Sequence, residues 1–111
     1  MAAFTIERDG DLLTVAVDGQ LVVGNRGEFK QLVLDELETG ARRVLIDFSG
    51  TGYIDSSGLG ALVSLGKRIR EQGGGMRLAG LNDDLRTLFE LTRLDTLLQL
   101  FASRADALVD F

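Results

Sequence analysis

The chain contains no cysteine and no histidine. Without cysteine there is no disulfide framework, no thiolate nucleophile and no thiolate metal site. Without histidine, the commonest general base and the commonest neutral metal ligand are both missing, and a Ser-His-Asp hydrolase is excluded by composition. Tryptophan is absent and tyrosine occurs once, which argues against a platform for stacking nucleic-acid bases. Positive charge is also scarce. Twelve Lys and Arg face seventeen Asp and Glu, for a net charge of −5, which argues against direct binding to nucleic acid or to an anionic membrane. No apolar run approaches the roughly 20 residues needed to cross a bilayer. The start, Met1-Ala2-Ala3-Phe4, lacks the basic and apolar segments of a secretory signal, so a cytoplasmic protein is expected. No metal or cofactor is expected.

What is present is a normal globular mixture, 45% hydrophobic and 26% charged over 111 residues, enough for one core and one domain spanning 1–111. Residues 4–8 alternate, Asp9-Gly10-Asp11 offers a turn, and Leu12 to Val17 resumes as a strand, predicting an opening β-hairpin. From Asn25 to Glu38 the apolar residues Phe29, Leu32, Val33 and Leu37 recur at helical spacing, until Gly40 stops the run. Asn25 is the candidate N-cap, with Glu28 completing a capping box. Residues 43–48 predict a buried central strand, and Ser49-Gly50-Thr51-Gly52 a flexible bend. A second helix is expected from Ser57 to Gln72, burying Leu59, Leu62, Val63, Gly66 and Ile69. Gly73-Gly74-Gly75 breaks the chain before a strand from Met76 to Ala79. Asn82-Asp83-Asp84 caps a third helix carrying Leu85, Leu88 and Phe89. Thr96 to Phe101 predicts an edge strand, and Ser103 caps a short helix through Val109.

The resulting order, β-β-α-β-α-β-α with weaker β and α elements after it, predicts an α/β fold. Its sheet should be mixed but mostly parallel, with about four to five strands covered by helices. A monomer is expected, since no long apolar edge patch is evident.

The stretch with chemical interest is Tyr53-Ile54-Asp55-Ser56-Ser57-Gly58-Leu59-Gly60. It joins the carboxyl end of an apolar strand to the start of an amphipathic helix, where functional groups of open α/β sheets collect. A helix start presents unpaired N–H groups and favours negative charge, so a phosphate on a serine there meets a receptive backbone. The same residues are also ordinary caps, and spacing alone does not distinguish capping from modification. On the second helix, Ser64, Lys67 and Arg68 fall away from the buried stripe and are candidates for partner contact or for plain solvation. Gly60 to Arg68 bears a faint likeness to a phosphate-binding P-loop. Five residues separate its glycines instead of four, and Arg68 stands where the metal-binding Ser or Thr is required. Direct ATP binding is rejected.

Residues 53–60 closely resemble the Asp-Ser-Ser/Thr-Gly-Leu-Gly segment of bacterial anti-sigma factor antagonists, the STAS-domain family. The likeness continues along the chain. Val15 to Leu21 is similar to the family's second strand and turn, and Val44 to Ser49 to the strand before the serine. Gly73 to Leu78 resembles the glycine turn and next strand, and Leu85 to Leu94 the third helix and its exit. The resemblance implies a switch and not an enzyme: an antagonist that binds an anti-sigma factor serine/threonine kinase and so releases a sigma factor. The kinase then inactivates it by phosphorylating Ser56, with Ser57 the second choice, and a metal-dependent serine phosphatase reverses the step. The implied partner surface comprises Asp55, Ser56, Ser57, Gly58, Leu59, Gly60, Ser64 and Lys67. Gly58 and Gly60 are read as permitting close approach of the partner, Gly60 alternatively as packing between helices. One departure stands out: where family members carry Gly-Glu-Leu/Ile-Asp in the turn after the second strand, this chain has Gly19-Gln20-Leu21-Val22. Loss of both carboxylates motivates a second reading, an interaction module of the same fold in another partner-switching pathway, serving secretion, a response-regulator phosphatase or a sensory scaffold. A Ser-Lys hydrolase, a distant third, requires Lys30 or Lys67 within reach of Ser56 or Ser57.

Overall fold

The computed structural model describes residues 3–111; Met1 and Ala2, which enter the reading of the N-terminus, lie outside it. The opening alternation forms the expected hairpin, β1 (Phe4–Asp9) antiparallel to β2 (Leu12–Val17). The short segment β3 (Gly19–Leu21) follows, then α1 (Arg26–Glu38), β4 (Arg43–Asp47) and β5 (Thr51–Ile54). Next come α2 (Ser56–Glu71), β6 (Gly75–Ala79), α3 (Asp83–Leu91), a 3-10 turn over Leu94–Thr96, β7 (Gln99–Phe101) and α4 (Arg104–Leu108). The main sheet has the order β1-β2-β4-β6-β7, with every pair after the hairpin parallel.

Side-chain alternation sorts the sheet into two unequal faces. Leu13, Val15, Val17, Val44, Ile46, Met76 and Leu78 point into the large core, where they meet Phe29 and Val33 of α1, Leu62 and Ile69 of α2, and Phe89 of α3. The intervening residues Leu45 and Ala79 face the other way, into a small cluster closed by Ala107 of α4 with Phe101 and Phe111. The central strand β4 is buried along nearly its whole length because helices cover it from both sides.

The thin face is held largely by polar contacts. Arg77 lies between the rings of Phe101 and Phe111, 5.1 and 4.5 Å from their centroids, and donates to the carbonyls of Ala107 and Val109. Asp47 is buried at the end of β4 and accepts from the Ser49 N–H at 2.9 Å and from Arg104 Nε at 2.6 Å. Burial pushes the Asp47 carboxyl up, but the Ser49 N–H and the Arg104 guanidinium outweigh it and hold the group below the usual Asp range. A depressed folded pKa contributes stability above the ordinary Asp value, and that contribution fades as pH falls through the folded value. Urea unfolding over a pH series is therefore expected to show an acid limb that becomes shallower in Asp47→Asn. An unchanged limb would mean the Asp47–Arg104 pair does not anchor α4.

Three local expectations are corrected. The segment Ser49 to Gly52 is not simply a bend: Thr51 begins β5, which pairs in parallel with β3 as a separate two-stranded sheet. Asn25 stands at the N-cap position of α1, but its side chain makes no cap bond and no capping box with Glu28 forms. Its carboxamide instead accepts from the Val22 N–H and donates to the Gln20 carbonyl, both at 2.9 Å, so the side chain is spent on the turn before the helix. The edge strand is shorter than expected, because Leu94–Thr96 coil into the 3-10 turn before Gln99 joins β6. No described helix is long and apolar enough to cross a membrane.

Candidate functional site at the start of α2

Asp55 organises this end of the molecule. It sits between β5 and α2 in extended conformation, as an N-cap must, and its Oδ1 accepts from the Gly58 N–H at 2.8 Å. Its other oxygen, Oδ2, accepts from the Val23 N–H at 3.0 Å, across to the loop between β3 and α1. The Asp55 N–H in turn donates to the Leu21 carbonyl at 3.2 Å. One residue thus ties the turn Gly19–Val22 to the helix start. The Gly58 N–H, above all, holds the Asp55 carboxyl below its ordinary pKa, with help from the N–H groups of Val23 and Ser57 and the charge of Arg26. This stabilising contribution is present above the ordinary Asp range and lost as pH falls through the lowered value. In Asp55→Asn the carboxamide has a single acceptor oxygen, so one of the two donors must be released. Amide hydrogen exchange is expected to quicken at Gly58 or Val23 while the sheet amides keep their protection; equal protection in both proteins would contradict this account of the loop.

Ser56 is the first residue of α2 and is exposed, whereas Ser57 beside it is half-buried. Among the described residues, neither hydroxyl takes part in a side-chain hydrogen bond. Exposed apolar side chains flank the pair: Tyr53 on β5 and Val23 on the loop bound to Asp55 are 57% and 68% accessible. A groove of about 490 Å³ opens beside Ser56, lined by Tyr53, Ile54, Leu59, Leu85 and Leu88.

The residues read as partner-facing do not all face outward. Gly60, Ser64, Lys67 and Arg68 are exposed along α2, as Ser56 is. Gly58 is buried and Leu59 is a core residue that reaches the surface only at the wall of the groove. A Cβ on Gly58 would collide with the Leu21 carbonyl; the close approach that requires glycine is to β3, within the chain. A Cβ on Gly60 would meet nothing within 4 Å, so that glycine serves no packing between helices. Val63 is half-buried at the edge of the core and not fully enclosed. Gly60 to Arg68 lies within a continuous helix, not a phosphate loop. Lys30 donates to Ser64 at 3.1 Å, and among the described residues neither Lys30 nor Lys67 is hydrogen-bonded to Ser56 or Ser57, as a Ser-Lys hydrolase would need. Val23 and Arg26, which border the site, were not found from the sequence. Their place depends on the β3–β5 pairing, for which periodicity gave no sign.

The sequence profile of the STAS domain matches residues 3–107. The chain belongs to the STAS domain family. Its sequence falls among the bacterial anti-sigma factor antagonists, which are regulators by name. The anti-sigma-B factor antagonist of Listeria monocytogenes is 33% identical over 95 residues, 85% of this chain and 82% of that protein. The crystal structure of TM1081 from Thermotoga maritima superposes with a TM-score of 0.90 at 27% identity, covering 96% of this chain and 92% of that one. The anti-sigma factor antagonist SpoIIAA of Bacillus, solved in unphosphorylated and phosphorylated forms, shares the fold. Its unphosphorylated form gives a TM-score of 0.77 at 14% identity, over 97% of this chain and 96% of that one.

Proposed function

We propose that this STAS domain is a phosphorylation-controlled anti-sigma factor antagonist of the bacterial cytoplasm. It binds an anti-sigma factor serine/threonine kinase, so freeing a sigma factor, and is inactivated by phosphorylation on Ser56, which a metal-dependent serine phosphatase reverses. The observation that carries the reading is the exposed, unbonded Ser56 hydroxyl, fixed in place by Asp55 at the start of α2. The hydroxyl is reachable by a kinase, and its backbone setting tolerates a phosphate. The contact surface is Ser56 and Gly60 together with Ser64 and Lys67 on α2, with Asp55 orienting the loop and Ser57 at its margin. Incubation with the cognate kinase and ATP, followed by mass spectrometry, tests the assignment. Phosphate on Ser56, and none on Ser56→Ala, is the expected result. A phosphate confined to Ser57, or none on either serine, would refute it.

A second reading, the same switch in another partner-switching pathway, has one specific observation in its favour. The turn that lacks the family's two carboxylates, Gly19–Val22, is hydrogen-bonded directly to Asp55 through Leu21 and adjoins Val23. Its altered charge therefore bears on the same surface as Ser56. Recovery of a sigma-regulating kinase on a Ser56→Ala bait favours the first reading, and recovery of other machinery the second.

A further inference from the structure

Although the protein carries a net charge of −5, one face bordering Ser56 is basic. Arg26 and Lys30 stand one turn apart on α1, and Lys67 and Arg68 follow Ser64 by one turn on α2. The hydrogen bond from Lys30 to Ser64 brings the two pairs together across the helix contact. Arg26 lies close enough to Asp55 for its charge to be felt there, which joins the patch to the start of α2. Arg8, Arg43 and Arg104, on other faces, are each spent on a carboxylate, whereas among the described residues none of these four cations makes a salt bridge. The bordering carboxylates are Glu28 and Asp35 on α1, the latter accepting from Gln31 at 2.7 Å, Glu71 at the end of α2, and Asp55, whose oxygens are taken by N–H groups. Between the cations, Val23, Gly27, Gln31 and Leu34 line a shallow groove along α1.

We propose that this α1–α2 face docks a partner surface rich in Asp and Glu, held by Arg26, Lys30, Lys67 and Arg68. The inference rests on the reading of Ser56 as the edge of a partner surface and gives that partner its charge. Charge complementarity is the reason: an acidic protein attracts an acidic partner only where its own field is locally reversed, and this is such a place. It also supplies the sign of the switch. A phosphoryl group on Ser56 adds roughly −1.5 to −2 charges at the rim of the patch, cancelling part of its field and repelling the incoming carboxylates.

The test uses the full 15N-labelled chain and a synthetic hexaglutamate peptide at low salt, where such contacts are least screened. Amide shifts centred on Arg26, Lys30, Lys67 and Arg68 are expected. The charge reversal K30E/R68E should weaken binding at least tenfold and Ser56→Asp severalfold, while R86E/R93E, on α3 and in the turn that follows it, stays within about twofold of the parent protein. Should K30E/R68E shift the unfolding midpoint, the neutral pair R26Q/K67Q replaces it. Absence of peptide shifts at these residues, or equal loss in the α3 control, would overturn the proposal. So would tighter binding of duplex DNA or of anionic vesicles to the same residues. The peptide needs no kinase, and Ser56 phosphorylation needs no peptide, so this proposal and the kinase reading fail separately.

Discussion

Phosphorylation of Ser56 is expected to lower affinity for the kinase partner by more than a hundredfold while leaving the unfolding midpoint essentially where it was. The two halves of that statement have different causes. Within the folded chain the new group lands on an exposed first-turn position, where unpaired N–H groups and the helix dipole favour an anion by about 0.3–1 kcal/mol. No hydrogen bond of the Ser56 hydroxyl is lost in the process, because none is made within the described residues. In the complex the same group must be desolvated or excluded against the partner, and a loss of about 3 kcal/mol already corresponds to more than a hundredfold. Titration calorimetry with the captured kinase, run on unmodified, phosphorylated, Ser56→Ala and Ser56→Asp protein, separates the terms. Ser56→Ala should bind like the unmodified protein and unfold within about 0.5 kcal/mol of it, as for a surface substitution that breaks nothing. Phosphoprotein that binds within threefold of the unmodified form, or that unfolds on modification, would contradict the switch.

Legibility in this sequence followed the range of the interactions. Helices announced themselves through caps that act within three residues: Asn82 accepts from the Leu85 N–H and Ser103 from the Asp106 N–H, as their positions imply. Asn25 has the same cap chemistry and misleads, because the chain before it turns tightly and offers Val22 and Gln20 as nearer partners. In the five-stranded sheet β2 and β4 follow from strong apolar runs and β1 from its alternation, but β3 and β5 carry neither signal. Gly19 and Gly52 dilute them, each is only three or four residues long, and they exist by pairing with each other some thirty residues apart. That hidden pairing fixes the site. It carries Leu21 to the Asp55 N–H and Val23 to the Asp55 carboxylate, contacts that no local pattern encodes. The serine itself was legible only through resemblance, since the cap reading explains the same residues equally well.

Gly58 gives the hidden pairing an energetic test, and here a large stability loss is expected from adding a side chain two residues away from a position that tolerates one. Leu21 is in β3, and its carbonyl occupies the space a Gly58 Cβ needs, while Ile54 Cγ2 stands 2.9 Å from the same point. Backbone cannot rotate away as a side-chain tip can, so α2 must shift off β3. Gly58→Ala should cost about 1–3 kcal/mol by overpacking, reduced by up to about 1 kcal/mol of helix propensity, and Gly58→Val more. Gly60→Ala, with open space at its Cβ, should instead gain about 0.5–1 kcal/mol. Urea denaturation of the pair reads the difference directly, and equal stability of Gly58→Ala and Gly60→Ala would show that β3 does not brace the helix start. The functional consequence is indirect but specific. The clash falls between the Asp55 N–H···Leu21 and Gly58 N–H···Asp55 bonds, so moving α2 loosens both. Gly58→Ala should then slow phosphorylation of Ser56, although the hydroxyl is untouched, because the kinase meets a loop that has lost its fixed geometry.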